Sequence, residues 1–587
     1  MIMRIRPEIA AAAMSAVLAV AALTGCGATS SPSGATGTTT AAAATGNAGQ
    51  SAQEVLAANK AAHAAQAAGT AEDLDLSGRS GTVTISNAGT YRLHGTLNGQ
   101  VVVEADDVTL VLDGATITST SSAAIAGTKD LVLVLADNST NTLTDTNSYA
   151  PDADVNAALF SAGDLTVTGN GALTVHGRGN DAIASKDGLV VASGNVTVDA
   201  VDDGVRGKDY VVVSGGTLAI TAGGDGIKAD NTEDADAGYV SVTAGAIRIT
   251  STGDGVDAAT DLVLTGGTLN VTSGGGHTAT PPADASAKGL KSGVITVLEG
   301  GTATVDAADD ALHGDASVHL NGTALTLAAK DDGVHAEDTL RVDAGTTTIT
   351  TSNEGLEAAH IALNDGSVTV TSSDDGVNAA GGSSTDTQQQ GGPMNGGGGE
   401  QVGDYDVTIA GGTLVIDAQG DGFDSNGTAT MTGGTLVVNG PTTNGNGALD
   451  VNGSFRVSGG TIVAAGSAGM VVTPATDSTQ GWLSATFAST VAAGTTLHVV
   501  DANGAVVATF VTSKAAQNIV YSSSAVKPGE QYTIRSGGTA TGTDTGGLRR
   551  SGELGSASTI ATVTAGQAPA RSGGMGRGGA GGQRPGG

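Results

Sequence analysis

The feature that most constrains the fold of this chain is a turn, Asp-Gly followed by an aliphatic residue, that returns about every 22 residues. The step from Asp203 to Asp225 has this length, and so does the step from Asp310 to Asp332. A fixed period of this kind indicates a solenoid, in which each repeat buries its apolar face only against its neighbours. The acids that open these turns are Asp181, Asp203, Asp225, Asp254, Asp310, Asp332, Glu354, Asp375 and Asp421; Ala replaces Gly after Asp181 and Asp310, and Phe423 takes the aliphatic position after Asp421.

Short alternating runs of Val, Ile, Leu and Thr lie between the turns. Residues 211–220 are typical, because two such runs are separated there by Gly-Gly-Thr. An alternation with a period of two, bounded by Gly and Asp, predicts strands and not helices. We therefore predict an all-β chain in which residues 73–472 form a parallel β-helix with coils of about 22 residues.

The repeat stops near residue 473, and a different pattern follows. Asp501 to Gly504 is the kind of turn that joins two antiparallel strands. Residues 473–545 are therefore predicted to form a small antiparallel β module with Trp482 in its core. Residues 546–587 are rich in Gly and Arg and are predicted to be a disordered tail.

The N-terminus has the pattern of a secreted lipoprotein. Arg4 and Arg6 precede an apolar run over residues 9–23, and Leu23-Thr24-Gly25-Cys26 resembles a bacterial lipobox. This pattern predicts a signal peptide over residues 1–25 and lipid attachment to Cys26. Residues 26–72 are predicted to be a disordered Ala/Ser/Thr/Gly tether that could include a helix within residues 53–68. The expected location is the bacterial cell surface, outside the cytoplasm, with the lipid as the only membrane contact.

Composition argues against several functional classes. The formal net charge of −33, with aromatic residues at only 2%, argues against nucleic acid as a partner, because such binding uses basic surfaces and stacking aromatics. No glycine-rich phosphate loop follows a strand and opens a helix. The single cysteine, Cys26, excludes an intramolecular disulfide framework.

Several turns carry two adjacent acids, and a solenoid stacks equivalent acids of successive coils about one strand spacing apart. Two carboxylates at that spacing repel by about 3 kcal/mol at an effective dielectric constant near 20. Hard cations with oxygen ligands relieve such repulsion, so Ca²⁺ is the predicted cofactor, although single acids are also explained as ordinary turn residues. The predicted ligands, including a second column at Asp187 and Asp209, are Asp181, Asp187, Asp202, Asp203, Asp209, Asp225, Asp254, Asp309, Asp310, Asp331, Asp332, Asp374 and Asp375.

A column of donors is predicted beside these acids. Because the aliphatic residue of each turn points into the core, the residue that follows it points outwards. Hydrogen-bond donors in that column suit sugar hydroxyls and carboxylates, although they could also be ordinary surface residues. The predicted carbohydrate-binding residues are Arg206, Lys228, Lys291, His313 and His335.

Three stretches of the chain resemble a known family. Residues 89–97 (Gly-Thr-Tyr-Arg-Leu-His-Gly-Thr-Leu), 203–209 (Asp-Gly-Val-Arg-Gly-Lys-Asp) and 527–532 (Lys-Pro-Gly-Glu-Gln-Tyr) are similar to the bacterial carbohydrate-binding β-helix family. The resemblance covers roughly residues 75–535. It implies a right-handed parallel β-helix that binds calcium and polysaccharide.

These patterns together favour a surface-displayed, calcium-dependent protein that binds polysaccharide, with acidic plant or wall polymers preferred and cellulosic polymers left open. Two alternatives are a polysaccharide lyase-like enzyme with Arg206 as its base, and a non-catalytic adhesin stiffened by calcium. An arginine among carboxylates stays protonated, so no catalytic residue is predicted. Tyr210 and Tyr239 are the main aromatic candidates for stacking on a sugar.

Overall fold

The alternating runs form three parallel sheets that wind around one apolar core. A computed structural model describes residues 47–64, 69–282, 285–381 and 402–568. These residues are nearly all β, with a solenoid of about 17 turns at a spacing of about 22 residues, which confirms the predicted fold class. The predicted signal peptide, Cys26 and the last part of the predicted tail, residues 569–587, lie outside the described residues.

Each complete coil contributes one strand to each sheet. Four strands open the chain: Glu72–Asp75, Arg79–Ile85, Gly89–Val103 and Val108–Thr118. The first sheet, which directly follows the Asp-Gly corners, then contains Ile125–Gly127, Ala157–Ser161, Asp181–Ser185, Val205–Gly207, Ile227–Ala229, Val256–Ala258, Leu290–Ser292, Leu312–Gly314, Val377–Ala379, Phe423–Ser425 and Leu449–Val451.

The second and third sheets complete each coil. The second contains Leu131–Leu135, Leu165–Gly169, Gly188–Val191, Tyr210–Val213, Tyr239–Val242, Asp261–Leu264, Ile295–Leu298, Asp406–Ile409, Thr428–Met431 and Phe455–Val457. The third contains Thr140–Thr144, Ala172–Gly177, Asn195–Ala200, Thr217–Ala222, Ala246–Ser251, Thr268–Ser273, Thr302–Ala307, Ser367–Ser372, Thr413–Ala418, Thr435–Asn439 and Thr461–Gly466. Three longer strands pass from one sheet to the next: Ser317–Ala329, Val334–Thr351 and Leu356–Leu363.

Equivalent aliphatic side chains stack along the axis and form the core. Val205 pairs in register with Ile227, which pairs with Val256, and the series continues through Leu290 to Leu312. All five side chains are buried. This stack is the core that the Asp-Gly-aliphatic repeat predicts, because a side chain at every second strand position faces inwards.

Glycine occupies two kinds of position in the coils, for a different physical reason at each. In the Gly-Gly-Thr turns the second glycine, such as Gly216 with φ of 76°, adopts a backbone conformation that favours glycine. The corner glycine Gly204 has no positive φ; instead, an added Cβ would lie 2.4 Å from a methyl carbon of Ile220 and 2.7 Å from the carbonyl oxygen of Gly226. The corner therefore requires glycine because neighbouring coils approach closely.

Residues 47–64, called the strap below, are ordered and lie on the β-helix, which corrects the prediction of a disordered tether up to residue 72. Helix α1 (Ala52–Ala58) begins with a capping box formed by Ser51 and Glu54. Its Ala52 and Val55 pack against outward side chains of the second sheet. The helix ends at Ala58, well before the predicted limit at residue 68. The described part of the chain contains no helix that is long and apolar enough to cross a bilayer.

The C-terminal module is antiparallel, as predicted, and extends further than residue 545. The strands Trp482–Val491 and Ala516–Ser522 continue the edge of the β-helix, because Ala516–Ser522 pairs antiparallel with Thr461–Gly466. A separate six-stranded sheet contains Thr496–Val500, Val506–Val511, Gln531–Ser536, Thr539–Thr545, Leu548–Glu553 and Ser558–Thr564. The last two strands include residues that were predicted to be disordered. Trp482 is buried, as predicted.

Candidate functional site

The turn acids, called the corner column, join each coil to the next. The backbone N–H of Asp225 donates to Oδ1 of Asp203 at 2.9 Å, and the N–H of Asp254 donates to Oδ1 of Asp225 at 2.7 Å. When the carboxylate is ionised, a bond of this kind stabilises a fold by about 2 kcal/mol. The acids that accept this bond are Asp181, Asp203, Asp225, Asp254, Asp310, Asp375 and Asp421.

Burial makes the ionised form of these acids costly. Asp181 is completely buried, and burial together with the charge of Asp203 raises the pKa of Asp181 to about 7. Burial also raises the pKa of Asp203 and of Asp254 to about 6. The corner column therefore depends on nearby positive charge.

The residues three positions after the corners, called the outer column, stack in register as the sequence predicts. Arg206 pairs with Lys228, Lys291 pairs with His313, and His313 pairs with His335. The complete series is Arg206, Lys228, Asp257, Lys291, His313, His335, Glu357, Asn378, Asp424 and Asp450. One face of the β-helix thus changes from basic to imidazole to acidic along the axis.

In the first half of this face, the basic side chains lie against the corner acids. The Arg206 guanidinium is 2.5 Å from Asp230 and 3.4 Å from Asp181. The Lys228 ammonium is 2.5 Å from Asp225 and 3.4 Å from Asp257. Arg206 and Lys228 therefore neutralise acids of the corner column, and each remains partly exposed to solvent.

Lys291 and Lys288 continue this neutralisation. The Lys291 ammonium lies 3.4 Å from Asp257 and 3.8 Å from Asp254. Lys288 takes a corner position itself: its N–H donates to Asp254, and its ammonium lies 2.8 Å from Asp310 and 3.1 Å from Asp309. The sequence reasoning missed this role of Lys288, although the residue stands at the corner position of the repeat.

The two histidines have different surroundings. Nδ1 of His313 lies 2.7 Å from Asp310, and its Nε2 lies 3.0 Å from Asp315. Burial alone would raise the pKa of Asp310, but hydrogen bonding to His313 and the charge of Lys288 hold that pKa well below its usual range. His335 is only 6% exposed, which leaves little of it for a sugar. Burial alone would lower the pKa of His335, but its bonds to Asp332 and Glu357 raise it to about 10.

Three acids in the second half of the face have raised pKa values. Burial and neighbouring carboxylates raise the pKa of Glu354 and of Asp375 to about 7 and that of Asp424 to about 8. Among the described residues, no lysine or arginine forms an ion pair with any of these three. The predicted calcium ligands include Asp375 but not Glu354 or Asp424, because the sequence reasoning treated the doubled acids as the main signal.

The remaining predicted calcium ligands fall into two groups. Asp202, Asp331 and Asp374 are exposed members of the doubled acids, whereas Asp309 is half-buried. One ligand atom each from Asp309, Asp310 and Asp331 lies within 4.8 Å of the others, so the predicted crowding is present. The Lys288 ammonium lies against two of these three acids.

The second acid column, Asp187 and Asp209, is covered by the strap. The Lys60 ammonium lies 2.7 Å from Asp187 and also contacts Asp209, while Asn231 donates to Asp209 at 2.7 Å. Burial alone would lower the pKa of Lys60, but the two carboxylates outweigh it and raise that pKa. A cation from the chain itself thus occupies the space between these two acids.

The strap also covers the aromatic candidates. Tyr239 donates its hydroxyl to the Lys60 carbonyl at 2.8 Å, and the hydroxyl of Tyr210 accepts from the N–H of His63 at 2.9 Å. Both tyrosines are at most 3% exposed, with ring centroids 5.5 Å apart. Neither ring is open to a sugar, which corrects that expectation.

Two open clefts lie at the N-terminal end of the outer column. One of 280 Å³ is lined by Asn156, Lys186, Arg206, Lys208 and Asp230, among others. The other, of 720 Å³, is more apolar and includes Val102, Ala126, Phe160 and Lys186. Both therefore share Lys186, an exposed residue without an ion-pair partner in the described part of the chain. The apolar members were missed by the sequence reasoning because they stand at outer-column positions upstream of the first Asp-Gly turn.

Comparisons with known proteins find similarity to carbohydrate-binding proteins. Residues 79–333 match a family model described as "Carbohydrate-binding domain-containing protein". Over this segment the chain matches a carbohydrate-binding family. The matched segment includes both clefts and the basic half of the outer column, whereas Glu354, Asp375 and Asp424 lie beyond it.

Two individual relatives are partial matches. A carbohydrate-binding domain-containing protein from Acetivibrio thermocellus is 38% identical over 128 residues, which is 20% of this chain and 45% of that protein. The chain therefore matches less than half the length of that relative. A solved structure, the polysaccharide lyase-like protein from C. thermocellum in a gadolinium derivative, aligns at 38% identity over 33% of this chain and 83% of the other, with a TM-score of 0.32.

The acid-rich half of the face predicts an unusual pH dependence of stability. The folded chain keeps protons on Glu354, Asp375 and Asp424 up to pH about 7 to 8, whereas the unfolded chain releases them near pH about 4. The associated stability is therefore fully present below the unfolded pKa and is lost as the pH rises through the folded pKa. In chelator, lowering the pH from about 8 to about 5 should raise the melting temperature by several degrees. Asp424→Asn should flatten this dependence; a melting temperature that stays constant or falls would contradict the expectation.

Proposed function

We propose that this protein is a surface-displayed, calcium-dependent polysaccharide-binding protein, and that it binds an acidic polymer along the clefts that share Lys186. The proposal rests on one observation: an apolar cleft and a basic cleft share Lys186, and both lie within the segment that matches a carbohydrate-binding family. Sugar rings present apolar faces and hydroxyl edges, and uronates add a carboxylate. A surface of this mixed kind suits such a ligand.

Lys186 and Lys208 are the donors best placed for this ligand. Lys186 is exposed and has no ion-pair partner in the described chain, and Lys208 is paired only with the exposed Glu233 at 3.4 Å. Arg206 lines the same cleft but also pairs with Asp181 and Asp230. Arg206 is therefore proposed to fix the shape of the cleft and to offer only its remaining donors to the sugar.

The other predicted sugar contacts take a smaller part in this proposal. Lys228, Lys291 and His313 are half-buried and form ion pairs with acids. Only part of each charged group is therefore available to a sugar. His335 is buried and is left out of the binding surface. The polymer is thus proposed to contact mainly the coils upstream of Lys228.

Binding without catalysis is the proposed activity. A lyase base must lose its proton near neutral pH. Burial alone would lower the pKa of Arg206 and of Lys228, but bonds and charges from neighbouring carboxylates outweigh it and raise both values. Both side chains are therefore suited to donate hydrogen bonds and not to accept protons.

Calcium is proposed to act at the acid-rich end of the face. Corner acids of the upstream coils have lysine nearby: Lys228 lies against Asp225, and Lys288 lies against the doubled acids Asp309 and Asp310. Downstream, Asp374, Asp375, Glu354 and Asp424 supply only oxygen atoms, the donors that calcium takes. A divalent cation there would stabilise the ionised carboxylates and hold the last coils together.

A charge-removal series tests the binding site. Lys186→Ala should weaken binding to polygalacturonate about tenfold, the usual scale for a lost charge-assisted contact. The matched control Lys527→Ala, an exposed lysine of the C-terminal module, should bind as the unmodified chain does. Isothermal titration calorimetry measures both. Equal affinity of the two variants would refute this site, and growth of unsaturated-uronide absorbance during incubation would show a lyase instead.

A thermal series tests calcium. Millimolar calcium should raise the melting temperature, because a ligand that binds only the folded state stabilises it. Asp374→Asn should remove most of this gain, whereas Asp202→Asn, an exposed doubled acid beside a neutralised coil, should keep it. The same melting temperature in chelator and in calcium would leave the acid column with only its hydrogen-bonding role.

Membrane attachment through Cys26 is also proposed, on the lipobox pattern alone. A lipid on Cys26 would hold the β-helix outside the cytoplasmic membrane. Cys26→Ser should release the protein into the medium, as measured by fractionation and immunoblotting. Mass spectrometry of the membrane form should find a diacylglycerol on Cys26, and an uncleaved, unmodified N-terminus there would disprove the attachment.

A further inference from the structure

The neighbouring histidines of the outer column differ in a way that polysaccharide binding does not explain. Their rings stack with centroids 4.7 Å apart and planes 5° apart. Both nitrogens of His313 lie within hydrogen-bond distance of a carboxylate. Nδ1 of His335 is shared by two carboxylates, at 3.1 Å from Asp332 and 2.9 Å from Glu357, and its buried Nε2 has no hydrogen-bond partner.

The charges around the two rings differ as well. Asp310, the main partner of His313, also lies 2.8 Å from the Lys288 ammonium. Neither Asp332 nor Glu357 has a lysine or arginine ion-pair partner in the described part of the chain. A single proton on Nδ1 of His335 therefore faces two buried or half-buried carboxylates, which leaves a net negative charge at this point.

The three atoms have the spacing of metal ligands. Zinc binds histidine nitrogen and carboxylate oxygen at about 2.0 to 2.2 Å, so neighbouring tetrahedral ligands lie about 3.3 Å apart. The two separations from Nδ1 are 3.1 and 2.9 Å, and all three ligand atoms lie within 4.8 Å of one another. One imidazole with two carboxylates suits zinc or a related transition metal; calcium prefers six or more oxygens.

We propose that Nδ1 of His335, with one carboxylate oxygen each from Asp332 and Glu357, forms a binding site for zinc or a similar divalent transition metal. The metal takes the lone pair of Nδ1, and the proton that Nδ1 held leaves to solvent. Nε2–H then faces Glu337, whose Oε1 lies 3.9 Å away, in the manner of a histidine ligand backed by a carboxylate. A fourth position remains for water or a ligand hydroxyl. This site is independent of the proposed sugar clefts.

Zinc titration of the full mature chain tests the proposal. The titration is done by calorimetry in millimolar calcium, so that acidic sites that prefer hard cations are already occupied. We expect one zinc per chain, with affinity at least about tenfold weaker in His335→Gln, since the loss of even an indirect partner of a metal ligand costs this much. Glu357→Gln keeps an acceptor for Nδ1–H and should also weaken zinc binding.

The stacked neighbour provides the matched control. His313→Gln should keep zinc affinity, because both nitrogens of His313 are already bonded to other carboxylates. Melting in chelator checks that each variant is folded, and X-ray absorption at the zinc edge should show one imidazole among oxygen donors. Unchanged zinc affinity in folded His335→Gln, equal loss in His313→Gln, or complete displacement of zinc by calcium would each overturn the proposal.

Discussion

The structure depends on one repeated interaction, the hydrogen bond from a backbone N–H to the corner carboxylate of the preceding coil. The bond joins successive coils at their corners and places a carboxylate where water is largely excluded, as at Asp181. A buried carboxylate is stable only with a positive partner or a proton. The choice of partner therefore varies along the axis and gives each part of the face its own chemistry.

Three solutions to this requirement occur in succession. Arginine and lysine neutralise the upstream corner acids, and His313 and His335 pair with the acids of the next coils. In the last coils, burial and neighbouring carboxylates raise the pKa of the acids. The proposed sugar clefts, zinc site and calcium region follow this order. The proposed sugar clefts use a lysine that has no ion pair among the described residues, the zinc site uses a shared imidazole nitrogen, and the calcium region uses oxygen atoms alone.

The strap shows how a segment outside the repeat changes the surface of the repeat. Its Lys60 lies between Asp187 and Asp209, and its backbone bonds to the hydroxyls of Tyr210 and Tyr239. The strap thus covers the acid pair that was predicted to bind calcium and the two tyrosine rings that were predicted to stack on a sugar. No periodic pattern in the β-helix itself could predict this contact, because it joins residues about 150 positions apart in the chain.

The sequence by itself determined the β-helix, its period, the inward aliphatic stack and the order of side chains along the outer column. These follow from local rules, since a two-residue alternation fixes which side chains point inwards and a constant period fixes which residues stack. The pairing of Arg206 with Lys228 and of His313 with His335 was therefore predictable.

Only the tertiary structure decided what each side chain in the column contacts. Register places residues at one height, but distances and burial depend on how closely the coils and their loops approach. Lys288 neutralises Asp310, while His335 is shared by two acids; both facts arise from three-dimensional packing. The strap and the last two C-terminal strands were mispredicted for the same reason, because weakly apolar segments become ordered only through the surfaces on which they pack.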